Sequence, residues 1–345
     1  LAFQLAEKNL GKTKLNPSVG AIVVKNNIII SSGVTSVNGR PHAEFNALTN
    51  KNYTNGANLY TTLEPCSHYG LTPPCTNLII KKKIKNVFYS FNDIDTRTFK
   101  KTRKILEKKN IKTRLIKNEN FKSFYSSYYY NKKFELPFIT AKIAISNDFF
   151  TINKKSKWIT NNKSRKIAHL LRSRNDCILS TSKSINKDNS LLNCRIEGLN
   201  NYKPDLFIID LKLKLKKNLL INNYTNKRKK FLITMKKNKK KTFFFKKKGF
   251  KIIFIESLIT KNDFKKLFKK IYDKGYCRAL FETGLTFLNS LIKHKLINNL
   301  YVFQNKKNLK NSGSNNDTHK YLKKIKLNKK INVNLNDDTL YKVDF

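Results

Sequence analysis

The sequence predicts an α/β protein of two domains in tandem, residues 1–134 and 135–345. Three observations lead there. The 345 residues are enough for two separate cores. Short apolar runs alternate with stretches of helical periodicity along the chain. A polar aromatic stretch, Tyr125 to Tyr130 followed by Asn131-Lys132-Lys133, reads as the amphipathic end of a helix, and Pro137 then opens a new apolar strand, which puts a boundary near Glu135.

In the first domain Ala2 to Lys8 has apolar residues at helical spacing, and Gly11 with Asn16-Pro17 ends the pattern. Val19 to Val24 reads as a buried strand, with Ile28 to Ile30 its hairpin partner across Asn26-Asn27. Pro41 precedes His42-Ala43-Glu44, and Ala43 to Leu48 continues as a helix, so His42 and Glu44 fall in a first helical turn. Ala57 to Leu63 is a strand that delivers Pro65-Cys66 to a turn, and Pro73-Pro74-Cys75 opens a helix over Thr76 to Lys83. A strand over Asn86 to Phe91, a helix over Phe99 to Lys109 and a strand over Ile111 to Ile116 complete a three-layer α/β/α pattern.

The chemistry is concentrated in His42, Cys66 and Cys75. One histidine and two cysteines supply three nitrogen and sulfur ligands to Zn2+ and leave the fourth position for water. A cysteine at a helix N-terminus feels the positive end of the dipole, which favours the thiolate a metal requires. Glu44, two residues after the histidine, can shuttle protons without being a ligand. That is the residue set of the zinc deaminases. A closed structural zinc site would need a fourth protein ligand, and His68, in a turn, is the only obvious spare.

The cysteines narrow the choice, because eight residues, Ser67 to Pro74, separate them where nucleic-acid and cytidine deaminases usually have Cys-x-x-Cys. The run from Thr62 through Glu64-Pro65-Cys66-Ser67-His68-Tyr69-Gly70 to Pro73-Pro74-Cys75 closely resembles the bifunctional deaminase/reductase family of bacterial riboflavin biosynthesis, as does Asn16-Pro17-Ser18-Val19-Gly20. The resemblance implies a cytidine-deaminase-like first domain in which His42, Cys66 and Cys75 hold zinc, Glu44 is the proton donor, and Asn16 and His68 touch the substrate's pyrimidine. Leu71 departs from the family, which usually has Lys or Arg there, a partner for a polar or anionic part of the substrate.

The second domain opens with a strand, Phe138 to Ile145, interrupted by Lys142, a charge that needs a partner or a function among apolar neighbours. Cys277 to Phe281 reads as a strand and Thr286 to Ile292 as a helix, with Gly284 at the turn between them, where a backbone can approach a phosphate. The same family's reductase domain, dihydrofolate-reductase-like in fold, is matched by Ser156-Lys157-Trp158-Ile159-Thr160, His169-Leu170-Leu171-Arg172, Asp188-Asn189-Ser190 with Arg195, and Phe281-Glu282-Thr283-Gly284-Leu285-Thr286. The resemblance implies that Ala144, Trp158, Ser184, Asp188 and the run Gly284, Leu285, Thr286, Phe287, Leu288, Asn289, Ser290 hold NADPH. It implies that Ser156, Arg172, Leu192, Arg195 and Glu282 bind substrate, the two arginines gripping a ribosyl phosphate. Lys142 and Asp188 are the candidates for polar groups near the reacting carbon. Departures are Asp148-Phe149-Phe150 for Asp-Gly-Arg, Ser190 for Pro, Gln304-Asn305 for Ala-Pro, and Asn298-Asn299 where acids are common. Lys212 to Lys248 carries too many lysines to align.

Composition sets outer bounds. With 72 Lys+Arg against 22 Asp+Glu the net charge is +50, which favours anionic partners such as nucleic acid. The lysines are spread along the chain in short runs such as Lys81-Lys82-Lys83, Lys227-Arg228-Lys229-Lys230 and Lys239-Lys240-Lys241, and Asn, Ile, Phe and Tyr, the other residues of A- and T-rich codons, are abundant too. Codon bias explains the charge without a specific nucleic-acid partner. Five cysteines, two given to the metal and three left over, fit reduced thiols in a cytoplasm. Leu1 to Leu15 has no signal-like apolar core, and no apolar run is long enough for a membrane span. The reading is therefore a deaminase acting on a diaminopyrimidinone ribosyl phosphate, followed by NADPH reduction of the ribosyl group of the resulting aminouracil; the resemblance adds a homo-oligomer built through the reductase domain. Its rivals are a tRNA or polynucleotide deaminase, favoured by charge, and a deaminase whose second domain is a non-catalytic scaffold, favoured by the departures.

Overall fold

Asn26 and Asn27 both take left-handed backbone conformations, φ 50° and 61°, and two such residues in succession give the type I′ turn that closes a tight hairpin. The strands they join are β1 (Gly20–Lys25) and β2 (Ile28–Val34). The structure, a computed structural model, describes residues 1–49, 53–117, 119–121, 123–198, 204–223 and 228–345. They divide into two units, Leu1–Glu135 and Leu136–Phe345.

In the first unit β1 also pairs antiparallel with β3 (Asn58–Thr61), which leads parallel to β4 (Asn86–Tyr89) and β5 (Lys112–Leu115), giving the order β2-β1-β3-β4-β5. Around this sheet lie α1 (Ala2–Lys8), α2 (Ala43–Leu48), α3 (Cys75–Lys81), α4 (Lys101–Glu107) and α5 (Ser126–Phe134). Phe3 of α1 stacks on Phe121 with ring centroids 4.1 Å apart and meets Phe124 edge-on, tying α1 to the segment that leads into α5. Helix α2 packs against β2 and β1 and touches α3, which touches α4. A Cβ built on Gly33 of β2 would lie 2.3 Å from the Ala43 carbonyl oxygen and 2.6 Å from the Ala47 nitrogen. Only glycine lets β2 press this closely on the start of α2, and that contact sets where His42, the residue before the helix, stands.

The second unit runs β6 (Phe138–Ile145), β7 (Ile152–Asn153), α6 (Asn162–Ser173), β8 (Cys177–Thr181), α7 (Ser182–Asp188), β9 (Asp205–Ile209), α8 (Leu220–Asn223) and β10 (Lys230–Thr234). It continues with α9 (Lys239–Lys247), β11 (Phe250–Phe254), α10 (Lys261–Tyr272), β12 (Arg278–Phe281), α11 (Leu285–Lys293), β13 (Asn299–Asn305), β14 (Gly313–Ser314), α12 (Lys320–Lys323) and β15 (Asp338–Asp344). Its main sheet has the order β11-β10-β9-β8-β12-β6-β13-β15, parallel except for the β13–β15 pair. From β6 the chain skips one place to β8, works outward to β11, and returns to fill the gap with β12. In an open α/β sheet, ligands bind beyond the carboxyl ends of strands where the order reverses. Here those are β6, β8 and β12.

Several expected elements are shorter than the pattern indicated. The helix expected over Phe99 to Lys109 is Lys101–Glu107, because Lys100 is left-handed, φ 55°. The strand expected over Ala57 to Leu63 is Asn58–Thr61, since Glu64 already bonds its backbone N–H to Phe91 O. Phe149 of the Asp148-Phe149-Phe150 run is left-handed, φ 65°, an uncommon state for a bulky residue. Lys227 of the basic run lies outside the described residues.

Replacing Gly33 with alanine forces β2 and α2 apart, at a cost of about 1–3 kcal/mol. The expected result for Gly33→Ala is a lower Tm and reduced zinc retention under mild chelation; unchanged zinc content would show that the contact does not set the position of His42.

Candidate active sites

His42 stands at the N-terminus of α2 in extended conformation, so its ring leaves the helix axis while Glu44, in the first turn, points inward and is only 4% exposed. Cys66 arrives on the loop after β3, and Cys75 is the first residue of α3. The two sulfurs each lie 3.5 Å from His42 Nδ1. The three donor atoms all fall within 4.8 Å of one another and form the one His/Cys/carboxylate group of this kind among the described residues. Zinc–sulfur bonds of about 2.3 Å and a zinc–nitrogen bond of about 2.0 Å at tetrahedral angles put sulfur and nitrogen about 3.5 Å apart. The donor set therefore fits Zn2+ in chemistry and spacing. Among the described residues no fourth protein donor joins it.

Glu44 Oε2 is 3.5 Å from Cys75 Sγ, and burial pushes its carboxyl above the ordinary range. The Cys66 thiol is held down to about 4, first by the Cys75 thiol, then by His42 and the Cys75 backbone N–H. A thiolate is thus favoured at Cys66, whereas the Cys75 thiol is pushed up, first by its contact with Cys66 and then by burial, against the expectation from its place at a helix N-terminus.

The cluster opens into a cleft of about 370 Å³. Asn16 lines it, its Nδ2 donating to Gly39 O at 3.1 Å. Gly39 has φ 90°, and a Cβ there would sit 2.4 Å from Asn16 Nδ2, so glycine is what lets Asn16 dock. His68 also lines the cleft, with Nδ1 2.8 Å from Thr98 Oγ1, while Leu71 lies on the rim, 88% exposed.

Residues that pattern reading missed complete the walls. Glu64 is 2% exposed and accepts backbone N–H bonds from Asp93, Lys100 and Thr102, anchoring the loop after β4. Asp93 accepts from Tyr128 Oη at 2.8 Å, and Asp95 pairs with Arg97 at 2.7 Å and Lys132 at 3.1 Å. Their one signal in the sequence is position: Glu64 directly precedes Pro65-Cys66, and the acids follow a strand's carboxyl end.

In the second unit, Phe281 pairs with Ala141 across β12 and β6, which sets Glu282 level with Lys142. Lys142 is half-buried; burial lowers its pKa, and Glu282 and Asp188 oppose that. Burial would raise Glu282, yet Arg172 first and then Lys142 hold it down to about 2. Arg172 donates Nε to Glu282 Oε1 at 2.5 Å and Nη2 to Oε2 at 2.9 Å. Of the two arginines expected to grip a phosphate, Arg172 thus turns its bidentate edge to Glu282, and Arg195 is the exposed one. His169, unassigned in the sequence, stands between the two guanidiniums, 3.3 Å from each, with burial and then the two arginines lowering its pKa to about 4.

The expected cofactor residues are divided by their packing. Gly284 precedes α11, whose first amides have no side-chain cap, and Ser184 Oγ lies 3.8 Å from where a Gly284 Cβ would stand. Open amides at a strand-to-helix turn, with a hydroxyl beside them, fit a phosphate-bearing dinucleotide such as NADPH. Thr286 is exposed and Ser290 half-buried, but Leu285 and Leu288 are 1% exposed in the core and Phe287 packs against it, so their polar contacts are limited to backbone. Asn289 is buried and donates to Thr318 O. Leu192 likewise has its side chain in a core cluster. Trp158 is exposed with Arg165 over its ring, Ser156 Oγ accepts from Trp158 N, Ala144 is half-buried on β6, and Asp188 ends α7 with burial raising its carboxyl.

Comparison with known proteins matches both units. The RibD C-terminal domain model covers residues 137–309, and the cytidine and deoxycytidylate deaminase zinc-binding region covers residues 1–91. The chain is 32% identical to the riboflavin biosynthesis protein RibD of Aquifex aeolicus over 307 residues, 88% of this chain and 84% of that one. It is similar to the crystal structure of a diaminohydroxyphosphoribosylaminopyrimidine deaminase/5-amino-6-(5-phosphoribosylamino)uracil reductase from Thermotoga maritima, with TM-score 0.81 and 25% identity over 99% of this chain and 96% of that one. RibD from Acinetobacter baumannii shares the fold, with TM-score 0.82 and 24% identity over 99% and 96% of the two chains. No helix among the described residues is long and apolar enough to cross a membrane. Matched through both of its units at once, the chain belongs to the RibD family: it is a bifunctional riboflavin biosynthesis enzyme, a zinc-dependent hydrolase in its first half and an NADPH-dependent oxidoreductase in its second.

Proposed function

We propose that the first unit deaminates a diaminopyrimidinone ribosyl phosphate and that the second reduces the ribosyl group of 5-amino-6-(5-phosphoribosylamino)uracil, the two activities for which the Thermotoga maritima protein is named. The observation that carries the deaminase half is the three-donor cluster with a buried carboxylate beside it and, among the described residues, no fourth protein ligand. His42, Cys66 and Cys75 hold the metal. Zinc bound there supplies the Lewis acidity that makes water nucleophilic near neutral pH. Asn16 and His68 orient the pyrimidine in the cleft. Glu44 takes the proton of the attacking water and gives it to the exocyclic amine; the new carbon–oxygen bond forms, the carbon–nitrogen bond breaks, and ammonia leaves.

In the second unit, NADPH supplies the hydride. Ser184, Trp158, Ala144 and the Gly284 to Ser290 turn hold it, Leu285 and Leu288 through their backbone. Arg195 and Ser156 bind the phosphorylated sugar, with Leu192 contributing backbone. Lys142 donates a proton to the ring oxygen as the sugar's C1′–O4′ bond opens and C1′ accepts hydride. Glu282, held by Arg172, keeps that ammonium charged in spite of burial, and Asp188 adds a second negative charge. The reading carries with it a small-molecule partner, no specific nucleic acid, a cytoplasmic location and a homo-oligomer built through the second unit.

The test is to give purified chain the diaminopyrimidinone substrate and follow ammonia release and NADPH oxidation together. Ammonia first and NADPH consumption after it is the expected order. Ammonia without NADPH oxidation would make the second unit a scaffold, and neither activity in folded, zinc-loaded chain would overturn the proposal.

Two substitutions separate the halves. Glu44→Gln is expected to lower ammonia release by roughly 10²- to 10⁴-fold with zinc content kept. Glu282→Gln removes the anion that sustains the Lys142 ammonium, so the Lys142 pKa falls further. An acid catalyst is lost as pH rises through its pKa, so the basic limb of the NADPH-oxidation profile is expected to move to lower pH; a profile that keeps its basic limb would remove Lys142 as the proton donor.

A further inference from the structure

We propose that Arg40 is the residue of the deaminase cleft that binds the substrate's phosphate, taking on this chain the part that a cation at position 71 would otherwise play. The inference rests on the deaminase reading above. Three cations line the cleft, Arg40, Arg97 and Lys132. Arg97 and Lys132 are both committed to the same carboxylate, Asp95, at 2.7 and 3.1 Å, and Arg97 first, against burial and with help from Lys132, holds that carboxyl well below the usual range. Of the cleft's other acids, Glu64 accepts from three backbone N–H groups, Asp93 from Tyr128 Oη and the Asp95 N–H, and Glu44 lies against Cys75 Sγ at 3.5 Å. Arg40 makes no ion pair among the described residues. Its Nη1 donates to Thr72 Oγ1, and its Nη2 lies 3.5 Å from where a Gly70 Cβ would stand.

The guanidinium is therefore laid along the Gly70–Thr72 rim, fixed by a neutral hydroxyl, with its positive charge uncompensated. Leu71, between those two residues, is 88% exposed and offers the rim no charge. Arg40 is two residues before His42, on the approach to the metal donors. A half-buried, oriented guanidinium without a counter-ion, at the mouth of a cleft whose other cations are neutralised, is suited to a phosphate monoester by charge and by its fork of donors. The ring end of the substrate goes to the metal donors and the phosphate end to the rim, so a ligand with phosphate is chosen over the same nucleoside without it.

The test measures ammonia release from the phosphorylated substrate and from its phosphatase-treated ribonucleoside, for wild-type chain and for Arg40→Ala, Arg40→Gln and Arg40→Lys. Loss of a charge-assisted contact predicts that preference for the phosphorylated form falls roughly 10- to 100-fold in Arg40→Ala, mainly through KM. Arg40→Gln, which keeps a donor for Thr72 but no charge, falls with it and reads the charge if the alanine variant does not fold. Arg40→Lys retains more of the preference. Introducing Leu71→Lys into Arg40→Gln restores part of it, an outcome a purely structural role for Arg40 would not give. An unchanged preference in Arg40→Gln, or an equal loss on both substrates, overturns the inference while leaving the deaminase reading intact. No ammonia from either substrate with folded, zinc-loaded wild-type chain overturns both.

Discussion

Two sulfurs and an imidazole nitrogen gathered within 4.8 Å in a largely buried place are held there by backbone, and the first unit is built around that gathering. Polar donors of this kind are costly to bury, and a metal ion shared between them would offset the cost. The donors come from three separate elements: the start of α2, the loop after β3 and the start of α3. Each needs its own fastening. Gly33 lets α2 press on β2. Thr102 Oγ1 donates to Pro65 O at 2.6 Å, and Glu64 gathers three amides of the loop after β4, which ties the Cys66 loop down from both sides. The Cys75 N–H donates to Cys66 Sγ at 3.2 Å, so the two cysteine segments brace one another.

The second unit meets the same difficulty with opposite charges. Lys142, Arg172 and Glu282 are charges taken largely out of water on adjacent strands and a helix, and they are stable only as a set. Glu282 directly follows β12 and Lys142 stands level with it within β6, on strands where the order of the sheet reverses and the topology leaves a crevice. Both halves thus place reactive polar groups at strand-to-helix junctions and keep their apolar mass, such as Leu285, Leu288 and Phe281, on the sheet side. The result is two chemistries in one chain, each supported by its own core.

Much of this was legible in the sequence where one physical cause dominates. Phe138 to Ile145 reads as a strand because only Lys142 interrupts its apolar run, and those are the bounds of β6. Ala2 to Lys8 and Ala43 to Leu48 likewise match α1 and α2, and Asn26-Asn27 is the hairpin turn. That His42, Cys66 and Cys75 come together was legible from their residue types and the motifs around them. What was not legible depends on contacts between distant segments. Arg172 and Glu282 both look like substrate residues when read singly; that they hold each other, 110 positions apart in sequence, appears only in three dimensions. The pairing of Asp95 with Arg97 and Lys132 was equally hidden. In the lysine-rich stretch from Lys212 to Lys248, β10 was obscured because Lys230 opens a strand although it is 6% exposed, its stem buried and its ammonium bonded to Ile221 O.

The measurement that bears most directly on this account is X-ray absorption at the zinc edge on metal-loaded chain. An open site made by His42, Cys66 and Cys75 predicts two sulfur neighbours at about 2.3 Å and two lighter neighbours at about 2.0 Å, one of them exchangeable with solvent. Cys66→Ser should leave a single sulfur. Three or four sulfur neighbours, or a closed shell with no exchangeable ligand, would make the site structural and contradict the deaminase chemistry derived from it.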